Sequence, residues 1–273
     1  DCLWESFRAA WEEAVELAVE AAHALAAPEV GLLVGGDWVS GKGIFRGQEV
    51  RAVLGSSAWQ AVVGGYLLSR LLGELSRAAG VPARALYVSG NHDQDRQSHL
   101  DLAFLVAEQA RSFNAEVAYS STDAICRIGE WCVLVLHGSG YSQYRPQSPA
   151  FQNAIIRRAL DLNMGRPPEE QVRRVVHGHQ HWLDVGFQIG QWGLVVDSLG
   201  GWQRNARQAL ARTSRPSGLI VYIPDGDRLE AVPVAADPEV LSRETASPYL
   251  EAQNVQRVGQ WLEEALEAKG YEL

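Results

Sequence analysis

Apolar residues recur at helical spacing from Leu3 through Phe7, Ala10, Trp11, Ala14 and Leu17, and Pro28 closes the segment. That spacing predicts an amphipathic helix over 3–26. The run Val30–Val34 reads as a short buried strand that enters the glycine-rich stretch 35–41. Residues 48–79 read as helix, with Gly55 and the pair Gly64-Gly65 as points of a break. A second strand, 84–89, ends in Gly90-Asn91-His92-Asp93 and is followed by a helix over 98–113. Strands are then predicted at 116–119, 124–128 and 131–136, the last ending at His137-Gly138. After a helix at 149–163, a strand at 173–176 ends in His177-Gly178-His179-Gln180-His181. Two more strands, 183–189 and 192–197, precede a polar loop over 198–216. The segments 218–223 and 228–234 read as a hairpin around Pro224-Asp225-Gly226-Asp227. A final helix is expected near 248–269.

The order is β-α-β-α at first and mostly β afterwards, which points to an α/β fold of two mixed sheets with helices outside. Residues 1–234 form the expected domain and 235–273 an acidic C-terminal extension. No apolar run is long enough to span a membrane. Residues 1–20 lack the basic start and apolar core of a signal peptide.

Charge changes this picture in one respect. The chain of 273 residues carries a net charge of -9, but the acids gather at its two ends. Residues 21–224 hold nineteen bases and sixteen acids, so the centre tolerates a phosphate-bearing ligand. Twenty-two of the basic residues are Arg, a bias that suits phosphate binding but that base composition of the gene also produces. Cys2, Cys126 and Cys132 are too scattered for a disulfide framework or a zinc knuckle. They read as buried apolar side chains of a cytoplasmic protein.

The candidate chemistry sits where four predicted strands end: Asp37, then Asn91-His92-Asp93, then His137, then His179 and His181. Ligands of α/β sheets collect at the carboxyl ends of strands, so the four clusters are expected to converge. One carboxylate, one amide and several imidazoles form a mixed nitrogen and oxygen donor set, suited to Mn, Fe or Zn rather than Mg or Ca. One carboxylate can bridge two ions about 3.5–4 Å apart. Each cluster alone has an ordinary explanation as a turn, a cap or a hydrogen-bonded histidine. His177 reads as structural. The nine tryptophans read first as core, and Trp38 and Trp202, which flank the site loops, second as pocket-lining. Arg204 and Arg207 belong to an acid-free stretch that reads first as a solvated loop and second as a phosphate grip.

Gly36-Asp37, Gly90-Asn91-His92-Asp93, His137-Gly138 and Gly178-His179-Gln180-His181 together resemble the successive motifs of the calcineurin-like metallophosphoesterase superfamily. The motif style is closest to its repair-exonuclease and phosphodiesterase branches, and the resemblance covers roughly residues 30–200. It implies a four-layer α/β/β/α sandwich and two divalent ions, Mn first, Fe or Zn otherwise. Asp37 resembles the bridging ligand. Asn91, His137 and His179 resemble ligands of one ion, and His181 a ligand of the other. His92 resembles the histidine that contacts the scissile phosphate and protonates the leaving oxygen, with Asp93 orienting it. Trp38, Arg204 and Arg207 stand as substrate contacts.

The family's opening Asp-x-His motif occurs nowhere in the chain. Either upstream residues are missing or the motif is lost; the strandless start without Met favours the first. The implied function is hydrolysis of a phosphate ester by metal-activated hydroxide. The expected partner is a phosphodiester or a nucleic acid, DNA or RNA, and not a membrane. The alternative is a catalytically impaired scaffold subunit of a nucleic-acid-processing complex.

Overall fold

The computed structural model describes residues 2–44, 56–141, 149–179, 183–189, 194–199, 218–226 and 228–235. Helix α1 (Cys2–Ala24) leads into strand β1 (Val30–Val34), and helix α2 (Ser57–Ala79) into β2 (Ala83–Val88). Two short strands, β3 (Gln94–Asp95) and β4 (Leu100–Asp101), precede α3 (Leu102–Ser112). Strands β5 (Glu116–Ser120), β6 (Asp123–Ile128) and β7 (Trp131–Leu136) follow, then α4 (Pro149–Asn163) and β8 (Val172–His177). The remaining elements are β9 (Asp184–Ile189), β10 (Leu194–Ser198), β11 (Gly218–Asp225) and β12 (Arg228–Ala235).

A parallel sheet of order β1-β2-β5 faces a mixed sheet of order β6-β7-β8-β10-β9, with β11-β12 as a separate hairpin. The two-residue period of the strands sorts their side chains between layers. On β7, Val133 and Val135 enter the cluster between the sheets, while Leu134 and Leu136 face α4 with Phe151, Ile155 and Ala159. On β2, Val88 and Leu86 face the second sheet, while Ala85 and Tyr87 pack under α2 and α3 with Leu68, Leu72, Val106 and Ala107. The result is the expected α/β/β/α layering, with the first sheet parallel rather than mixed among the described strands. Helix α1 closes one end by setting Ala10 and Ala14 against Val221 and Val234 of the hairpin.

A buried ion cluster fixes that hairpin to the second sheet. Arg174 of β8 forks onto both carboxylate oxygens of Asp197 on β10. Its third nitrogen donates to the Leu229 carbonyl, and the Tyr222 hydroxyl donates to Asp197 at 2.8 Å. The Cys126 and Cys132 thiols serve as packing: Cys132 is buried, and burial pushes the Cys126 thiol up to about 11.

Two local expectations change. Helix α2 runs unbroken through Gly64-Gly65, because these glycines serve helix crossing. A Cβ on Gly65 would stand 2.5 Å from the Gln109 Cβ and 2.9 Å from the Val106 carbonyl of α3. The helix expected from 98 begins at Leu102 instead. Asp101 caps it by accepting from the Phe104 amide, and residues 94–101 fold back as the β3-β4 hairpin. No helix among the described residues is long and apolar enough to cross a membrane. The terminal helix and most of the acidic extension, the polar loop, and Trp202, Arg204, Arg207 and His181 lie outside the described residues.

Candidate metal centre

Four loops leave the carboxyl ends of β1, β2, β7 and β8, and each delivers one part of the site: Asp37, the run 91–93, His137 and His179. They converge as expected. One ligand atom each from Asp37, His137 and His179 lies within 4.8 Å of the others. Asn91 joins them, its Oδ1 standing 3.1 Å from His137 Nε2. Asp37 and His179 both adopt left-handed backbone, with φ of 56° and 66°. Non-glycine residues in that region are held there by their surroundings, and such strain concentrates at functional sites. Gly36 allows the approach, since a Cβ there would stand 2.5 Å from His137 Nδ1.

Hydrogen bonding fixes the protonation pattern. His137 Nδ1 lies 2.7 Å from the Gly35 carbonyl, which only accepts, so Nδ1 carries the proton. Nε2 faces Asp37 Oδ2 at 3.2 Å and Asn91 Oδ1 at 3.1 Å: protonated, it donates to them, and deprotonated, it offers a lone pair beside theirs. The point is nearly dry, with the His137 side chain 3% and the Asp37 side chain 7% exposed. In the deprotonated form three electron-rich atoms meet and call for a cation between them, and the donor types are those of a Mn, Fe or Zn site. The residues present therefore fit a metal ion.

Without an ion, Asp37 and His137 support each other electrostatically. Burial alone pushes the Asp37 carboxyl up, but the His137 side chain and the His92 amide outweigh it and hold the carboxyl below its usual range. Burial alone lowers His137, and the Asp37 carboxylate outweighs it and raises the imidazole.

Asp93 and His92 divide their tasks differently from expectation. Asp93 is fully buried; its Oδ2 accepts the amides of Asp37 and Gly90, each at 2.8 Å, and its Oδ1 accepts that of Val39 at 3.2 Å. It ties the β1 loop to the β2 loop. Burial, then the nearby Asp37 charge, raises its carboxyl to about 6. Tyr87 is fully buried with its hydroxyl directed at the same carboxylate, outside good hydrogen-bond geometry, and burial pushes that phenol well above its usual range. The orienting role foreseen for Asp93 falls to a backbone group: His92 Nδ1 donates to the Ser40 carbonyl at 3.1 Å. The His92 amide donates to Asp37 Oδ1 at 2.7 Å, which sets the imidazole beside the centre.

Trp38 takes its core reading, not that of a substrate contact. Its indole packs into the clusters under α2, and its Nε1 donates to the Gly64 carbonyl at 2.9 Å. The carbonyls of Gly35 and Ser40 and the Tyr87 side chain were not legible as site parts. The first two are backbone groups without a sequence signature, and Tyr87 looks like any inward strand residue.

No family model and no curated protein matches the chain. Among solved structures, it is similar to a Vps29 single mutant from Entamoeba histolytica, at 14% identity and a TM-score of 0.34, over 75% of this chain and 82% of that one. A second is Vacuolar Protein Sorting 29 from Cryptosporidium parvum, at 16% identity and a TM-score of 0.29, over 60% of this chain and 74% of that one. At these scores neither match decides a function. What stands on the chain's own geometry is an α/β/β/α sandwich with a metal-capable group at the carboxyl ends of its strands.

Proposed function

We propose that the chain is a metal-dependent phosphoesterase acting on a phosphodiester, with nucleic acid favoured. The observation that supports this reading is the meeting of Asp37, Asn91, His137 and His179 at one point, beside a tautomer-fixed His92. A bound divalent ion of the Mn, Fe or Zn class supplies Lewis-acid polarisation of a phosphoryl oxygen and a lowered pKa for water. Those four residues would hold it. The Gly35 carbonyl keeps His137 Nε2 free to donate its lone pair. Asp93 holds the backbone under Asp37 and Gly90. His92, its Nδ1 proton on the Ser40 carbonyl, carries a second proton on Nε2 in the imidazolium form and gives it to the leaving oxygen. His181 is proposed as a ligand of a second ion, and Arg204 and Arg207 as phosphate contacts.

One observation favours a second reading, the catalytically impaired scaffold. The chain has no Asp-x-His, and the His and Asp donors among the described residues form one group, enough for one ion. The two readings separate in a single preparation loaded with Mn and desalted. Two ions per chain and Mn-dependent hydrolysis of bis(p-nitrophenyl) phosphate support the enzyme. One ion or none, with no turnover, supports the scaffold. His179→Ala is expected to lose Mn and activity together; full metal content in that variant overturns the site.

A further inference from the structure

We propose that the slot between the free edges of β1 and β11 is a docking site for an extended apolar strand of another polypeptide, which pairs with both edges through its main chain. The inference concerns a surface away from the chemistry and does not rest on the phosphoesterase reading.

The two strands lie in one layer. Along β1, Val30 and Leu32 pack on the Trp11, Leu71 and Leu75 cluster under the helices, while Leu33 packs on the cluster between the sheets with Val133 and Val176. Strand β11 alternates in the same way: Leu219, Val221 and Ile223 pack with Ala10 and Ala14 of α1, and Tyr222 joins the cluster between the sheets. Leu219 also reaches the cluster that holds Leu32. The strands therefore share both neighbouring layers, yet no ladder joins them. Among the described residues β1 pairs with β2 alone and β11 with β12 alone.

The edge of β1 is open and unguarded. The Val30 amide donates to the Pro82 carbonyl, so Val30, Leu32 and Val34 turn their backbone groups to β2, and Gly31 and Leu33 turn theirs away. The outward groups of Gly31 and Leu33 have no partner among the described residues. Gly31 is exposed, and Leu32, Leu33, Leu219, Ile220 and Tyr222 are only half-buried, although packed layers flank both strands. The opposite edge of the same sheet is closed. The Ser89 amide donates to the Ser120 carbonyl, which turns the Val117 carbonyl outward, and there Arg111 of α3 caps it through Nε at 2.9 Å and Nη2 at 2.6 Å. An edge without such a guard is a template for another strand. The lining selects the occupant. Unpaired backbone on β1 calls for extended chain rather than a helix. Strand β1 carries no charge, and apolar side chains line both faces of the slot. What fits is a strand about as long as the five residues of β1, apolar on both faces and free of Pro.

The test is fluorescence anisotropy on the full chain with a labelled peptide of alternating Val and Leu, about as long as β1 and flanked by Lys for solubility, together with amide hydrogen exchange. The peptide is expected to bind. N-methylation of its alternate residues keeps the apolar side chains and removes main-chain donors, and is expected to weaken binding at least about tenfold. Exchange at the Gly31 and Leu33 amides is expected to slow at least about tenfold when the peptide is present. The Leu32 and Val34 amides already face β2 and should change little. No peptide binding, binding of the N-methylated peptide within twofold of the unmodified one, or unchanged exchange at Gly31 and Leu33 overturns the proposal. A chain that is dimeric by size exclusion, with those two amides protected before any peptide is added, also overturns it and makes a second copy the occupant.

Discussion

Gly90→Ala is the sharpest probe of how the centre is built. A Cβ on Gly90 would stand 2.2 Å from Asp37 Oδ1, 2.4 Å from the Asp37 amide nitrogen and 2.9 Å from its Cγ. A side-chain rotation of Asp37 relieves the first contact but not the second, which is backbone. The β1 and β2 loops must therefore separate by roughly 1 Å to reach ordinary contact distance. Among the bonds that join them, two share one atom, Asp93 Oδ2, which accepts both the Asp37 and the Gly90 amide at 2.8 Å. Separation stretches at least one of these bonds. Overpacking costs about 1–3 kcal/mol and a weakened hydrogen bond to a buried carboxylate about 1.5 kcal/mol more, so the total is about 3 kcal/mol. For a domain of this size that lowers the unfolding midpoint by about 8 °C. The same displacement moves Asp37 off the shared point, and Mn affinity by titration calorimetry is expected to fall at least about tenfold. Gly73→Ala supplies the control with opposite sign. Nothing lies within 4 Å of that Cβ inside α2, so the substitution is expected to stabilise by about 0.5–1 kcal/mol. A Gly90→Ala protein that melts within 2 °C of the parent, or binds Mn as tightly, would refute the close-approach argument.

Two further outcomes follow from charges outside the centre. Asp197→Ala leaves the Arg174 guanidinium buried beside Tyr222 without its carboxylate; chemical denaturation should show a loss of about 3–5 kcal/mol, and replacing both partners by apolar residues should cost less than the sum of the singles. Asp95 is held at about 2 by the Ser57 hydroxyl and the Gln97 and Ser98 amides, below its ordinary 3.8. A carboxyl lowered on folding stabilises above its unfolded pKa and loses that contribution as pH falls through the folded one. Asp95→Asn should therefore flatten the parent's fall in melting temperature between about pH 4 and pH 2; an unchanged acid limb refutes the assignment.

The layering was legible because strand periodicity survives in β7 and β2, where alternate valines and leucines divide between two cores. The site was legible because its polar residues stand directly after strands, and strand ends of one polarity must meet. What escaped the sequence was the use to which residues are put. Gly64-Gly65 reads as a helix breaker until α3 is seen crossing there. Residues 98–101 read as the first turn of the helix, although the cap at Asp101 was present as a signal. Trp38 reads as core or, by position, as pocket-lining, and the Gly64 carbonyl that takes its indole N–H decides for the core. The Ser40 carbonyl could not displace Asp93 as the partner of His92 in any reading of side chains alone.

That last exchange decides which variant can distinguish an enzyme from a scaffold. Asp93 accepts three amides from two loops in a site without solvent, so its removal damages the frame whether or not chemistry occurs there. Inactivity of an Asp93 variant is thus expected under both readings. Asp37 and His137 fail as discriminators for a related reason, since each bonds across loops as well as pointing at the ion position. His92 differs: its backbone amide, which a substitution leaves in place, makes the bond to Asp37, while its imidazole meets a carbonyl of the neighbouring loop. His92→Ala should keep the Mn content of the parent and lose only about 1 kcal/mol of stability with the Ser40 bond. If the imidazole protonates the leaving oxygen, kcat should fall by about 10²–10⁴. Turnover within tenfold of the parent at unchanged Mn content would remove His92 from the chemistry and leave the centre as a metal-bound structural clamp.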